Sequence, residues 1–203
     1  MQKQIKDLCI NKVIKLSNNR IASCSDDKTV KIWKSDPPYS DTPIKVLEGH
    51  NNWVTSILYI KRDIMISCSY DRTFVWNMST YQCVTVFKEV KCTLSNALFE
   101  IDKDRILVGC NSQFFIVNID KCVIEKIVKD KSLGYVKCFL KLKNNNTIFC
   151  GCSNGIFSVY DMKTEEYKIT KNNYKGEITD LLLIDNNYFI SSFNDNTIKV
   201  WKY

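Results

Sequence analysis

Residues 23–33 read SCSDDKTVKIW, residues 67–76 read SCSYDRTFVW and residues 191–201 read SSFNDNTIKVW. Two weaker copies lie between them, LVGCNSQFFIV at 107–117 and CGCSNGIFSVY at 150–160. The copies end at Trp33, Trp76, Val117, Tyr160 and Trp201, in steps of 43, 41, 43 and 41 residues. Each is a short β-branched or aromatic run, a polar turn and a second such run, the pattern of an antiparallel hairpin. A repeat that tiles the whole chain predicts one continuous all-β domain over residues 1–203.

Around the second copy, strands are predicted at 54–60, 64–69, 73–77 and 83–87, separated by polar breaks. Four short strands per period of roughly 40 to 45 residues, with Gly49-His50 ahead of the first and a Trp closing the third, make one blade of a β-propeller. The blades are placed near 5–47, 49–87, 90–128, 133–171 and 174–203. Blade 1 is predicted to have strands at 10–16, 21–25, 29–33 and 44–47, and the lengthened stretch 34–43, which holds all three prolines, to be a surface loop and a contact element. Blade 3 is predicted at 94–101, 106–110, 114–117 and 122–128, and blade 4 at 136–142, 147–152, 156–160 and 167–170. Blade 5 offers 178–184, 188–192 and 197–201 and no fourth strand. An unpaired edge strand is an aggregation template, so a partial or open ring is expected, part of a larger ring continued by flanking sequence or one completed by a partner chain; a small five-bladed ring closed poorly by the N-terminus is the remaining reading.

Lys and Arg number 29 against 22 Asp and Glu, a net charge of +7 spread through every repeat. Nucleic-acid grooves want Arg and Lys clustered on one face, so this excess is read as solubility. The opening MQKQIKDLCI holds no apolar core for a secretory signal, and the longest aliphatic runs, such as 181–184, fall short of a membrane span. A cytoplasmic or nuclear protein is expected, not a secreted one and not one that meets a membrane. Ten cysteines sit inside the repeat, Cys24 and Cys68 each three before the turn Asp on a strand expected to be buried. With Cys150 and Cys152 as the tightest pair and His50 the only histidine, no metal and no cofactor are expected.

These residues resemble the WD-repeat (WD-40) family of β-propellers along the whole chain, most clearly in repeats 1, 2 and 5. The resemblance implies a hydrogen-bonded chain of loop His, strand Ser, turn Asp and strand Trp, matched in repeat 2 by His50, Ser67, Asp71 and Trp76. Repeat 1 carries Ser23, Asp27 and Trp33 and repeat 5 carries Ser191, Asp195 and Trp201, with Lys6 and Tyr174 near the place of the missing His. A carboxylate accepting from His N–H and turn amides, and a Ser accepting from an indole, form a structural frame. Asp71 to Trp76 is one residue shorter than Asp27 to Trp33 or Asp195 to Trp201, which would turn Trp76 to the other face unless a bulge absorbs the change.

The resemblance further implies a scaffold that docks other proteins on the face formed by the loops ahead of each first strand and the turns between second and third. The positions the family uses there are Trp53, Thr55 and Tyr70 in repeat 2, Cys9, Asn11 and Asp26 in repeat 1, Tyr135 and Lys137 in repeat 4, and Glu177, Thr179 and Asn194 in repeat 5. Trp53 and Tyr70 stand out as large aromatics at a loop edge, a common interface anchor; the alternative for Trp53 is cover for the neighbouring blade. No catalytic residue is assigned. His, Ser and Asp occur together in repeat 2, but Ser and Asp recur where no His exists, so the repeat explains them better than a hydrolytic triad. An RNA-associated subunit using the basic surface is the less favoured alternative, and a propeller hydrolase with paired carboxylates the least.

Overall fold

The computed structural model describes residues 8–60, 63–92, 97–143, 146–170 and 176–203, and every regular element among them is a β-strand. The chain divides into two compact units, Met1–Ser95 and Asn96–Tyr203. In the first, β1 (Ile10–Lys15), β2 (Arg20–Ser25), β3 (Val30–Lys34) and β4 (Lys45–Leu47) make one antiparallel sheet in chain order. Then β5 (Val54–Ile60), β6 (Ile64–Ser69), β7 (Thr73–Asn77) and β8 (Gln82–Phe87) make the next. In the second unit, β9 (Leu98–Glu100), β10 (Arg105–Cys110), β11 (Gln113–Asn118) and β12 (Val123–Lys129) form a third sheet. A fourth holds β13 (Val136–Lys141), β14 (Thr147–Cys152), β15 (Phe157–Asp161) and β16 (Tyr167–Thr170), and a fifth holds β17 (Ile178–Leu183), β18 (Tyr188–Phe193) and β19 (Ile198–Lys202). These are the five predicted blades. The expected start of blade 3 at Leu94 lies outside the described residues, and β9 itself is short.

Within each unit the sheets stack by one rule. Ala22 pairs with Ile14 and Ile32, and Cys24 with Val30, so these side chains share the face of blade 1 opposite Trp33. That face is buried against Ile57, Met65, Phe74 and Trp76, the indole-bearing face of blade 2. In the second unit Leu107, Phe114 and Ile116 meet Phe139, Ile148, Cys150 and Tyr160. Leu140, Phe149 and Phe157 likewise meet Leu181, Phe189 and Trp201. Strand alternation thus gives blades 2, 4 and 5 an aromatic-bearing face turned to the preceding blade of the same unit.

Gly151 marks how close this contact is. A Cβ on it would lie 2.6 Å from Ile178 Cγ2 and 2.7 Å from Cys138 Sγ. Gly151→Ala is therefore expected to overpack the contact between blades 4 and 5 and cost about 1–3 kcal/mol in a denaturant melt.

Two register features decide where side chains point. The residue missing from repeat 2 is absent from the turn, not from a strand. Cys24 pairs with Val30 and Ser192 with Ile198, each across five turn residues, whereas Cys68 pairs with Thr73 across four. The longer turns close on a left-handed residue, Lys28 (φ 72°) or Asn196 (φ 66°), while no residue from 69 to 72 has positive φ. Trp76 therefore keeps the face of Trp33 and Trp201, and the expected reversal does not occur. The second feature is a bulge near the start of the first strand, at Asn11, Thr55, Lys137 and Thr179, where the pairing with the second strand shifts by one residue.

Candidate partner-docking face

In blade 2 the four polar residues form one chain. The Trp76 indole N–H donates to Ser67 Oγ at 2.8 Å, and Ser67 Oγ lies 2.7 Å from His50 Nε2. His50 Nδ1 faces Asp71 Oδ1 at 3.4 Å. With a carboxylate on Nδ1, that nitrogen carries the hydrogen, and Nε2 accepts the Ser67 hydroxyl proton. Burial pushes the His50 pKa down from 6.5 to about 4, against the pull of Asp71, so the ring is neutral at pH 7. Burial opposes ionisation of Asp71, but the Asn51 amide, the Ser69 hydroxyl and His50 together hold it below the ordinary carboxylate range. Phe74 stacks on Trp76 (5.0 Å, 14°) and meets His50 edge-on (4.5 Å). Gly49, at φ 136°, lets the loop lie on Phe74, whose Cζ would be 3.0 Å from a Cβ there.

Blades 1 and 5 keep half of this frame. Trp33 donates to Ser23 at 2.9 Å and Trp201 to Ser191 at 2.8 Å. Lys6 and Tyr174, read as near the His position, lie outside the described residues. The partner that sequence reasoning missed is on the third strand: where blade 2 has Phe74, blade 1 has Lys31, whose Nζ lies 2.8 Å from Asp27 Oδ2. Asp27 also accepts from the Thr29 amide and hydroxyl, and Asp195 accepts likewise from Thr197. Burial works against ionisation of Asp27, but Lys31 and Thr29 outweigh it and hold the carboxyl low. Asp27→Ala is expected to cost about 1 kcal/mol, and Asp195→Ala less, because Asp195 is exposed; thermal melts of the two variants compare them.

The docking positions sort by geometry. Trp53 is 51% and Tyr70 41% exposed, and their rings meet edge to face at 6.2 Å. Tyr135 is exposed as well, its backbone tied to Ser153 in both directions. The bulge residues behave differently. Thr55 is buried, its hydroxyl donating to the Cys92 carbonyl at 2.9 Å. Asn11 Nδ2 donates to Asp26 Oδ1 at 2.7 Å and to the Val54 carbonyl of the next blade at 3.0 Å. Lys137 pairs with Glu177 of the next blade at 2.7 Å. Thr179 shares a 2.7 Å hydrogen bond with Ser192. Asn194 and Glu177 hold each other, amide to side-chain oxygen at 2.9 Å and amide to carbonyl at 3.0 Å. The bulge thus turns side chains toward fastening blades, and the aromatic pair is left presented to solvent. Exposed Cys9 accepts the Asp26 amide through its carbonyl.

At the far ends of the same strands, Arg20 donates to Asp63, Ser17, Tyr81 and the Met78 carbonyl, and Tyr59 donates to Asp63. These bonds join the two blades of the first unit from below. Among the described residues no disulfide joins any of the ten cysteines, and burial pushes the Cys24 thiol up to about 12, so it stays a neutral packing group.

A model of the WD domain, G-beta repeat matches residues 4–34, 41–77 and 167–202, together just over half of the chain. The unmatched middle contains the two degenerate copies. Ribosome biogenesis protein YTM1 of Kluyveromyces lactis is 25% identical over 92% of this chain and 53% of its own length. Nuclear distribution protein nudF of Aspergillus niger is 28% identical over 48% of this chain and 22% of its own. DDB1- and CUL4-associated factor 10 of Homo sapiens is 31% identical over 36% of this chain and 13% of its own. The chain therefore spans at most about half the length of these relatives. Three matched segments, a repeat of four-stranded sheets and three Ser–Trp bonds at one repeat position agree: the chain belongs to the WD-repeat family.

Proposed function

We propose that the chain is a non-catalytic protein-interaction scaffold that docks its partner on the loop face carrying Trp53 and Tyr70. Members of the WD-repeat family typically serve as such scaffolds. The observation that carries the reading is the contrast on that face. The repeated polar residues are consumed by hydrogen bonds inside the blades, while the Trp53–Tyr70 pair stands exposed on top of them. Aromatics held on a rigid frame lose little entropy on contact and are frequent hot spots. Asp26 is a further contact residue of the same unit in this reading, Tyr135 is a candidate of the second unit taken by itself, and no step of chemistry is assigned to any of them. An intracellular setting, cytoplasmic or nuclear, accords with relatives named for ribosome biogenesis and nuclear distribution.

The test is quantitative affinity capture with the wild-type chain, Trp53→Ala and Tyr70→Ala. A partner enriched by wild type should fall at least about thirtyfold in affinity with each variant, the loss of a hot-spot residue, while the β spectrum and melting temperature hold. Full binding by both variants contradicts the reading. So does a steeply salt-dependent affinity for single-stranded RNA that survives both substitutions.

A further inference from the structure

We propose that the corner between Trp53 and Tyr70, with the Asp26 carboxylate beside it, takes an arginine side chain of the partner, an assignment that rests on the docking reading above and names the chemistry it would recognise. The two rings stand at 81° to each other with centroids 6.2 Å apart. One ring turned edge-on to the other leaves two aromatic faces meeting at a corner, and each face carries the negative part of its ring quadrupole. Among the described residues no lysine or arginine lies over either ring, whereas Arg20 covers Tyr81 and Lys126 covers Tyr160. The corner is therefore open to a cation from outside.

The carboxylate comes from the neighbouring blade of the same unit. Asp26 holds in blade 1 the position that Tyr70 holds in blade 2, since Ser25 pairs with Ile10 as Ser69 pairs with Val54. One Asn11 amide donates to Asp26 Oδ1 at 2.7 Å and to the Val54 carbonyl at 3.0 Å, which brings the carboxylate to the strand that begins directly after Trp53. Asp27 and Asp71 already have their cations, Lys31 at 2.8 Å and Arg72 at 2.6 Å. Among the described residues no lysine or arginine pairs with Asp26, Lys28 of the same turn included. The loop is fixed in advance, because Asn52 Oδ1 accepts the Trp53 amide at 2.8 Å and Asp71 Oδ2 the Asn51 amide at 3.1 Å. A partner group that docks there meets a surface with little left to order. Arginine fits this corner better than lysine. Its guanidinium is planar and weakly hydrated, so it stacks on a ring face while its in-plane N–H groups reach a carboxylate at the edge. A lysine ammonium is a compact, strongly hydrated charge that two walls leave largely in water.

Three blocked peptides test this by nuclear magnetic resonance on the full chain: acetyl-Ala-Arg-Ala-amide, its lysine counterpart and its citrulline counterpart, which keeps the planar group and removes the charge. The readout is the Trp53 indole N–H signal, assigned by its loss in Trp53→Phe. The arginine peptide is expected to shift it saturably, with the citrulline peptide at least about tenfold weaker and the lysine peptide at least about threefold weaker. Asp26→Asn keeps an oxygen for Asn11 and should lower the arginine affinity about threefold to fivefold while leaving that for citrulline unchanged. Tyr70→Phe should keep the affinity and Tyr70→Leu lose about threefold or more. A Trp53 signal that the arginine peptide never moves overturns the proposal, as does equal binding of the lysine or citrulline peptide, or an arginine affinity unchanged in Asp26→Asn or in Tyr70→Leu. Circular dichroism confirming the wild-type β spectrum in each variant keeps misfolding from imitating a loss. Partner capture separates the two readings. A partner lost in Trp53→Ala while the arginine peptide fails to bind overturns the arginine assignment and leaves the docking face standing; a partner captured equally by Trp53→Ala, with the peptide still binding wild type, puts the fault with the docking face.

Discussion

Trp76→Ala is expected to lower the unfolding free energy by about 3–5 kcal/mol, the range for removing a large aromatic from a packed core. The side chain is buried against blade 1, stacks on Phe74 and donates to Ser67 at 2.8 Å. Its loss opens a cavity and also leaves Ser67 with one partner fewer. Trp76→Phe separates the two effects, because it keeps most of the packing and removes the donor; a loss of about 1–2 kcal/mol is expected there. Trp201→Ala should cost less than Trp76→Ala, since Trp201 is only partly buried although its bond to Ser191 is the same 2.8 Å. Urea titrations followed by tryptophan fluorescence and by circular dichroism rank the three. A Trp76→Ala loss below that of Trp201→Ala would mean that packing between blades does not set the scale.

The second large effect is acid lability. His50 has an ordinary pKa of 6.5 and about 4 in the fold, because burial disfavours its charged form. Between those values the unfolded chain takes up a proton that the folded chain refuses. The His50 contribution is fully present above pH 6.5 and declines by about 1.4 kcal/mol per pH unit, to a total loss of about 3 kcal/mol near pH 4. Asp71, whose folded pKa is also depressed, adds in the same direction as pH falls through its own folded value. Denaturant melts at pH 7.5, 6.0 and 4.5 should show this decline, and His50→Gln should flatten the part between pH 6.5 and 4.5. An equal slope in His50→Gln would place the acid sensitivity elsewhere.

Most of the blade plan was legible because strand, turn and strand each leave a local signature. The predicted strands 54–60, 64–69 and 73–77 coincide with β5, β6 and β7, and 147–152 with β14. The Ser and Trp of the frame were legible for the same reason: one repeat position imposes one pairing. What escaped was whatever depends on register. One residue fewer between Asp71 and Trp76 looks alike in sequence whether it leaves a turn or a strand, and only the Cys68–Thr73 pairing shows that it left the turn. The bulge was equally hidden. Thr55, Asn11 and Lys137 occupy positions where the family resemblance implied contact with a partner, but the extra residue at each bulge turns them toward bonds inside the unit. Lys31 carries no such signal in the sequence, because the histidine it replaces belongs to the loop whereas this charge comes from the neighbouring strand. The 34–43 loop, read as a contact element, contributes Tyr39, Ser40 and Asp41 to the groove beside Trp33.

The docking face is tested most directly by hydrogen–deuterium exchange on the chain, free and bound to the partner recovered by affinity capture. Protection is expected to rise on binding in the loop 51–53 and the turn 69–72, which carry Trp53 and Tyr70, and to stay unchanged in β8 and β12. Protection confined to the 34–43 loop or to β19, with 51–53 and 69–72 unaffected, would contradict the assignment of that face.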